Sequence, residues 1–367
     1  MQDSTSELSK SRPKVAPQRQ SHEPQTRPTL DEVALRAGVS RSAASRAMNN
    51  APHVSPVKRG AVMKAAQELG YFPNATARAL ATSKVGSVVL VVSNEDPAFF
   101  ADPFFSQIIV GIATALEKTD LDLTLMLASP DDGPIRLERL LRSRRADGVM
   151  VLAMRKDDPL NQILAATDLP IVFCGRTLGM EPRWYVDADN RGGARLATEH
   201  LLNAGRRRIA TIIGPMDLEA SVARYRGFAD AMAVVGRASD WIAEADFTRE
   251  GGVQAMTKLL DAHPDLDAVF VGSDNMAAAA IRVLKAHGRS IPEDVMVVGF
   301  DDLAIAQQTE PTLTTVSQPI RALGLEMAMM LMRLIEGESP SPIILPTRLV
   351  VRESAPSPGL GSDVNPG

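Results

Sequence analysis

The chain has 367 residues, of which 45% are hydrophobic and 23% are charged. This is ordinary globular usage, and it excludes a wholly disordered protein. The single cysteine, Cys174, excludes a disulfide framework and any all-cysteine zinc site. No apolar run reaches the roughly 18 residues of a membrane span, and no apolar stretch follows the basic N-terminus. We therefore expect a reduced, cytoplasmic protein of about two or three domains.

Charge is divided unevenly along the chain. Residues 1–84 hold thirteen Lys or Arg and six Asp or Glu, a net charge of +7, whereas the remainder holds 27 basic and 38 acidic residues, a net charge of −11. A basic N-terminal segment on an acidic body indicates a polyanion-binding module joined to a domain with another task. The alternative is that the uneven distribution of charge arises by chance and that the N-terminal segment is only a solvated tail. Segments 1–27 and 355–367 are poor in large apolar residues, so we predict that both are disordered.

Residues 29–70 predict short helices with clear start and stop signals. The helix-starting residues are Thr29, in a capping box with Glu32, then Ser40, and Ser55 followed by Pro56. The helix-stopping residues are Gly38 and Gly70. For the last helix, the predicted core face is Val57, Ala61, Ala65 and Leu69. The short turn between the first two helices contains a glycine and is typical of a helix-turn-helix, whose second helix enters the DNA major groove.

The second helix, over 41–48, separates apolar from polar side chains. Ala44, Ala47 and Met48 can face a small core. The residues left near its N-terminus or on its outer face are Arg41, Ser42, Ser45 and Arg46. Arginine can bind guanine edges with two donors, and serine can bind bases or phosphates. A DNA-contacting face is favoured over the alternative, which is the solvated face of a small bundle.

The head of the chain resembles the DNA-binding region of the LacI/GalR family of bacterial transcription regulators. The resemblance is carried by TLDEVALRAGVSRSAASRAMNN (29–50) and by HVSPVKRGAVMKAAQELGYFPNATARALAT (53–82). It implies a DNA-binding domain over 28–73 and a hinge helix over 74–84 that begins after Asn74. The head residues it places on DNA are Thr29, Ser40, Arg41, Ser42, Ser45, Arg46, Asn49 and His53. In the hinge, it implies that Leu80 wedges into the minor groove and that Arg78 lies near the backbone or groove floor.

The body, over 85–354, alternates apolar runs with helical segments. The strand candidates are 87–92, 123–128, 148–153, 171–174, 208–214, 268–272 and 295–300. The helix candidates include 104–118, 190–204, 222–235, 251–262 and 275–287. Near-continuous apolar strands predict an α/β fold with two open parallel sheets. In such folds, ligands bind beyond the carboxyl ends of the strands.

No catalytic or cofactor motif follows these strands. The sequence has no GxGxxG with a downstream acid, no GxxxxGK[ST], no strand-linked GxSxG and no HExxH. We therefore predict a binding body with no catalytic residues, no cofactor and no metal. An enzyme on a two-lobed body remains the alternative from a different class.

The body also resembles the LacI/GalR core, which is similar to two-lobed periplasmic sugar-binding proteins. The matching segments include VDADNRGGARLATEHLLNAGRRRIATIIG, SVARYRGFADAM, AVFVGSDNMAAAAIRVLKAHGRSIPEDVMVVGFDD and PTLTTVSQPIRALG. The effector-binding residues implied by the resemblance are Asp189, Asn190, Arg224, Phe247, Ser273, Asp274 and Asp301. Their chemistry suits a polyol. As alternatives, Asp189 caps a helix, Arg224 pairs with a surface acid and Phe247 belongs to the core.

The body departs from the family pattern at two places. Ser273 stands where the family usually has asparagine, so a two-pronged amide contact is replaced by one hydroxyl. The loop over 93–105 is lengthened and contains Phe99, Phe100, Phe104 and Phe105. These rings either line the mouth of the cleft or fill the edge of the lobe.

The resemblance implies how such a regulator works. A homodimer sits on a two-fold symmetric operator of double-stranded DNA, in the cytoplasm at the nucleoid and away from membranes. A small-molecule effector, a sugar in most relatives, binds between the lobes and changes operator affinity. A purine or other corepressor is the alternative effector. Helices over 104–118 and 275–287 are the expected dimer contacts.

Overall fold

The computed structural model divides the chain into two compact units, 1–82 and 83–367. The described residues are 28–49, 51, 53–72, 84–93, 102–129 and 131–357. The predicted hinge residues Arg78 and Leu80 lie outside these ranges, as do Phe99 and Phe100. Helices and strands are numbered in chain order.

The smaller unit is a cluster of helices around a core of small apolar side chains. Its described helices are α1 (Leu30–Arg36), α2 (Arg41–Met48) and α3 (Pro56–Leu69). The predicted caps are confirmed: Thr29 and Glu32 form the capping box, and Ser40 and Ser55 cap α2 and α3. The predicted helix-stopping glycines have left-handed φ angles of 66° at Gly38 and 64° at Gly70.

The predicted core face of α3 is wrong in its first half. Val57 is 83% exposed and Ala61 is also exposed, whereas Val62, Ala65 and Ala66 are buried against α1 and α2. Residues spaced strictly four apart are each displaced by about 40° around a helix with 3.6 residues per turn. After a few steps, such residues no longer lie on the buried face. The face that packs follows the mixed three- and four-residue spacing.

In the described part of the larger unit, two sheets form two lobes. The first sheet contains β1 (Ser87–Val92), β2 (Asp122–Leu127), β3 (Gly148–Leu152), β4 (Ile171–Cys174), β5 (Tyr185–Ala188) and β11 (Ile343–Leu345). Its order is β11-β5-β4-β3-β1-β2, and every pairing is parallel. The helices of this lobe are α4 (Pro103–Leu116), α5 (Gly133–Arg142), α6 (Leu160–Ala165) and α11 (Ile320–Ile335).

The second lobe repeats the same plan. Its strands are β6 (Ile209–Ile213), β7 (Ile242–Glu244), β8 (Ala268–Val271), β9 (Met296–Asp301), β10 (Thr314–Ser317) and β12 (Arg348–Val350), in the order β12-β10-β9-β8-β6-β7. Its helices are α7 (Asn190–Asn203), α8 (Glu219–Val234), α9 (Arg249–Ala262) and α10 (Asp274–Ala286), with a 3₁₀ turn over Ala304–Gln307. The chain enters this lobe after β5 and returns to the first lobe through Gln318, between β10 and α11.

The predicted α/β architecture is confirmed, and the departures lie at the sheet margins. Each strand that we predicted is present, and several are buried along their full length, as parallel strands covered on both faces should be. Strand β12 runs antiparallel to β10, so the second sheet is not wholly parallel. Strands β7 and β11 have only three residues, and Asp187 interrupts β5, so none of them gives a recognisable apolar run.

The C-terminal boundary of the body extends past the predicted residue 354. Ala355 is fully buried, and its carbonyl accepts hydrogen bonds from Thr314 Oγ1 at 3.1 Å and pairs with His200 Nε2 at 2.8 Å. The predicted disordered tail therefore starts too early. These tertiary contacts of a single small residue leave no trace in local composition.

Candidate functional site

A cavity of about 380 Å³ lies between the two lobes of the larger unit. The first lobe contributes the start of α4 and the carboxyl ends of β3, β4 and β5. The second contributes α8, the start of α9 and the segments that follow β6, β8 and β9. The cavity lies where open parallel sheets are expected to bind ligands, beyond the carboxyl ends of the strands. The loops that begin there can direct side chains toward a ligand.

Arg224 of α8 is the centre of the buried wall, with only 6% of its surface exposed. Its Nε donates to Asn190 Oδ1 at 2.9 Å, and its Nη2 lies 3.3 Å from Asp301 Oδ1. Its Nη1 donates to the carbonyl of Gly272, and its guanidinium carbon lies 3.8 Å from the centre of the Phe300 ring. Desolvation by burial lowers the pKa of Arg224, although neighbouring carboxylates oppose the change. The guanidinium is thus fixed in place before any ligand arrives.

Asp301 ends β9 and turns its carboxyl group into the same wall. Its backbone φ of 111° is unusual for a residue with a side chain, as is common at binding sites. Gln318 Nε2 donates to its Oδ1 at 2.6 Å. Burial raises the pKa of Asp301 to about 7. The positive charge of Arg224 opposes this increase, and the negative charge of Asp102 adds to it. Among the described residues only Oδ1 is engaged, which leaves Oδ2 for a ligand hydroxyl.

Asp187 is a buried carboxylate that sequence reasoning missed. It lies in β5 and accepts from Arg176 Nε at 3.2 Å and from Asn190 Nδ2 at 3.1 Å. Asn190 is the first residue of α7, and its side chain links Asp187 to Arg224 through hydrogen bonds to both. Desolvation raises the pKa of Asp187, with Arg176 opposing the change. One signal in the sequence could have identified Asp187. It lies two residues before the predicted contact Asp189, within the short strand β5.

Aromatic rings provide the apolar part of the wall. Phe247 has a left-handed φ of 68°, and its ring lies against Gly214. A Cβ added at Gly214 would lie 2.1 Å from Phe247 Cζ, so only glycine leaves room for the ring. Phe104 and Phe105 also line the cavity and pack edge to face, with ring centres 5.3 Å apart. The described end of the lengthened loop thus meets both alternatives, because these rings line the cleft and Phe105 is also buried in the core of the first lobe.

Three predicted contacts have other roles in this structure. Asp189 is exposed, lies off the cavity wall and caps α7 by accepting from Gly192 N–H at 2.8 Å. Asp274 lies behind the wall, where it accepts from Leu303 N–H at 2.7 Å and from Thr315 Oγ1 at 2.5 Å. Ser273 lines the cavity, but its hydroxyl accepts from Met276 N–H at 3.3 Å as the cap of α10. Asp189 thus matches its helix-cap alternative, and Asp274 supports the wall from behind.

Polar bonds join the lobes around the cavity. Asn275 Nδ2 donates to Asp102 Oδ2 at 3.1 Å, and Arg155 Nη1 lies 2.6 Å from Asp217 Oδ2. Arg176 also bridges the lobes, with its Nη2 3.5 Å from Glu219 Oε1. These contacts join the two lobes across the cavity.

The polar face predicted on α2 is present in the smaller unit. Arg41, Ser42 and Arg46 are exposed, and Ser45 is half-buried. Arg41 Nε lies 3.4 Å from Asp31, and Arg46 Nε donates to the carbonyl of Ser42 at 3.3 Å. The other predicted contacts of the head are exposed as well: Thr29, Ser40, Asn49 and His53. Their contact with DNA stays a prediction.

Comparison with known families decides the assignment. A model described as bacterial regulatory proteins of the lacI family matches residues 29–74. A second, described as periplasmic binding proteins and the sugar binding domain of the LacI family, matches 86–353. The chain belongs to the LacI family. A LacI-family protein is a DNA-binding transcriptional regulator and not an enzyme, as the absence of catalytic motifs predicts.

Similar proteins span nearly the whole chain. The HTH-type transcriptional regulator CelR of Thermobifida fusca is 45% identical over 334 residues, covering 89% of this chain and 98% of CelR. A solved CelR–cellobiose complex has a TM-score of 0.71 and 43% identity, covering 89% of this chain and 100% of that chain. A lac repressor dimer bound to operator and the anti-inducer ONPF has a TM-score of 0.78 and 27% identity, covering 90% and 99% of the two chains.

The described part of this LacI-family chain offers neither a cluster of metal ligands nor a membrane-spanning helix. No group of three or more His, Cys, Asp or Glu side chains there could hold a metal ion. No helix there has the length and apolar character needed to cross a membrane.

Proposed function

We propose that this LacI-family regulator is a homodimeric repressor that binds a two-fold symmetric operator at the nucleoid and is released by a neutral disaccharide. The observation that carries the proposal is the fixed Arg224–Asp301–Asn190 cluster in a cavity of about 380 Å³. This volume lies within the range of about 300–1000 Å³ that is usual for small-ligand pockets.

The cavity chemistry favours a polyol over an anion. Asp301 and Asp187 offer acceptors for hydroxyl hydrogens, and the Arg224 guanidinium supplies donors in a fixed direction. Phe247 and Phe104 offer flat surfaces for the C–H faces of sugar rings. Among the described lining residues, carboxylates outnumber guanidinium groups, so a phosphate or sugar acid would meet repulsion. Cellobiose is the first candidate, because a CelR relative binds it in a similar fold.

The smaller unit supports the DNA part of the proposal. Its α2 helix presents Arg41, Ser42 and Arg46 on one exposed surface without an acidic residue in the helix. Arginine and serine side chains read major-groove edges and phosphates. The similarity to a lac repressor dimer on its operator supports two heads on one symmetric site.

The test combines DNA selection with effector titration of the full-length protein. Genomic fragments that it retains at fixed salt are labelled, and the affinity is measured by fluorescence anisotropy with and without cellobiose, lactose, glucose and glucose 6-phosphate. We expect cellobiose to weaken operator binding by at least about tenfold, as typical allosteric coupling allows. It should also raise the melting temperature. Equal retention of random DNA, or indifference to every sugar, would refute the proposal.

A further inference from the structure

The cavity has a buried end and an outer end. Arg224, Asp301, Asn190 and Ser273 are buried and form the inner wall. At the other end, the wall includes Arg155 of the first lobe, whose side chain is 44% exposed. A ligand that is held by the inner cluster and outgrows the buried end therefore reaches this exposed part of the wall, which also includes Arg249 and Glu250 of the second lobe.

Arg155 closes this outer end by reaching the opposite lobe. It follows β3, and its Nη1 donates to both carboxylate oxygens of Asp217, at 2.8 and 2.6 Å. Asp217 follows β6. The contact is reinforced by a backbone hydrogen bond of 2.9 Å from Lys156 N–H to the Asp217 carbonyl. Side chain and main chain thus form one bridge across the rim.

The two rim bridges differ in how firmly they are held. The Arg155–Asp217 pair is nearly half exposed on both sides, and such ion pairs contribute little to stability, so this bridge can open and close. Arg176 instead contacts Asp187 and Glu219, whose side chains are mostly buried. Burial makes that bridge a fixed part of the wall.

We propose that Arg155 and Asp217 form a gate that limits the ligand to the length of a disaccharide. This inference rests on the proposed function and identifies the residues that limit the length of the ligand. A third sugar ring that extends past Arg155 from a disaccharide in the inner site would meet this pair of side chains. It would break the side-chain pair and push apart the backbone segments joined by Lys156 and Asp217. Specificity then comes from a steric and polar barrier against the longer ligand.

The experiment compares cellobiose, cellotriose and cellotetraose by calorimetry on full-length protein. The variants are Arg155→Ala, Asp217→Ala and the reversed pair Arg155→Asp with Asp217→Arg. A matched control is Arg191→Ala, which removes an exposed ion pair of 2.6 Å with Asp230, away from the rim. Thermal unfolding of each variant establishes that it is folded.

We expect the wild type and the control to prefer cellobiose over cellotriose by at least about tenfold, a usual size for steric discrimination. Each alanine variant should lose most of this preference through tighter cellotriose binding. Asp217→Ala, whose residue does not line the cavity, should change cellobiose affinity less than about threefold. The reversed pair should restore the preference. An unchanged preference in the alanine variants, or equal binding of both sugars by the wild type, would overturn the gate alone. A wild type that binds no saccharide would overturn the proposed function, and the gate with it.

Discussion

The buried carboxylate of Asp301 should give the protein a pH-dependent stability. Arg224 is a single guanidinium whose surroundings include Asp301, Asp187 and Asp274, so one cation meets more buried negative charge than it can neutralise. Burial raises the pKa of Asp301 from 3.8 to about 7. Between these pH values the folded state holds a proton that the unfolded state has released. The stability contributed by this group is therefore full below about pH 4 and is lost as the pH rises through 7.

The Asp301→Asn variant removes this titration and keeps the shape of the side chain. The amide oxygen of asparagine can still accept from Gln318. A shift of about three pKa units corresponds to at most about 4 kcal/mol, at about 1.4 kcal/mol per unit. We therefore expect the variant to gain stability relative to the wild type as pH rises from about 4.5 to 7.5, by up to that amount.

Urea unfolding at a series of pH values measures this effect. The two tryptophans of the chain, Trp184 and Trp241, lie one in each lobe, so their fluorescence reports the unfolding of both. Asp230→Asn is a control of opposite sign, because a hydrogen bond from Arg191 lowers the pKa of the exposed Asp230. That variant should lose stability at neutral pH and match the wild type in acid. Parallel wild-type and Asp301→Asn profiles, or a wild type that gains relative stability with rising pH, would show that attraction to Arg224 outweighs burial.

Further predictions concern DNA contact, the aromatic wall and a helix cap. Arg46→Ala should weaken operator binding by about 10- to 100-fold in a gel-shift series at fixed salt, the worth of one bidentate base contact. Unchanged affinity would remove Arg46 from the interface. Gly214→Ala should displace the Phe247 ring and weaken effector binding by about fivefold in calorimetry, an aromatic contact being worth about 1 kcal/mol. Gly60→Ala, where a Cβ meets nothing within 4 Å, should leave effector binding as it is. Ser40→Ala should destabilise the head by about 1 kcal/mol in thermal unfolding followed by circular dichroism, and an unaltered transition would contradict the cap role.

The pocket assignments made from sequence differ in how well they agree with the geometry. Asn190, Arg224, Phe247 and Asp301 meet around one cavity, because their positions follow strand ends and helix starts that the sequence marks. Asp189 and Asp187 show the limit of that reasoning. Residues two apart on a strand share a face, so alternation alone would place both carboxylates alike. Strand β5 ends at Ala188, and Asp189 caps α7 instead of reaching the cleft. Effector contact by any of these residues stays a prediction.

Features that depend on neighbours along the chain could be predicted from the amino-acid sequence. Capping residues, helix-stopping glycines and apolar strands are local signals, so the head helices and the α/β body could be predicted. The buried face of α3, the Asp102–Asn275 bond and the burial of Ala355 were decided by tertiary structure. Each joins segments distant in sequence, and packing energy there depends on which surfaces meet. No local pattern encodes that choice.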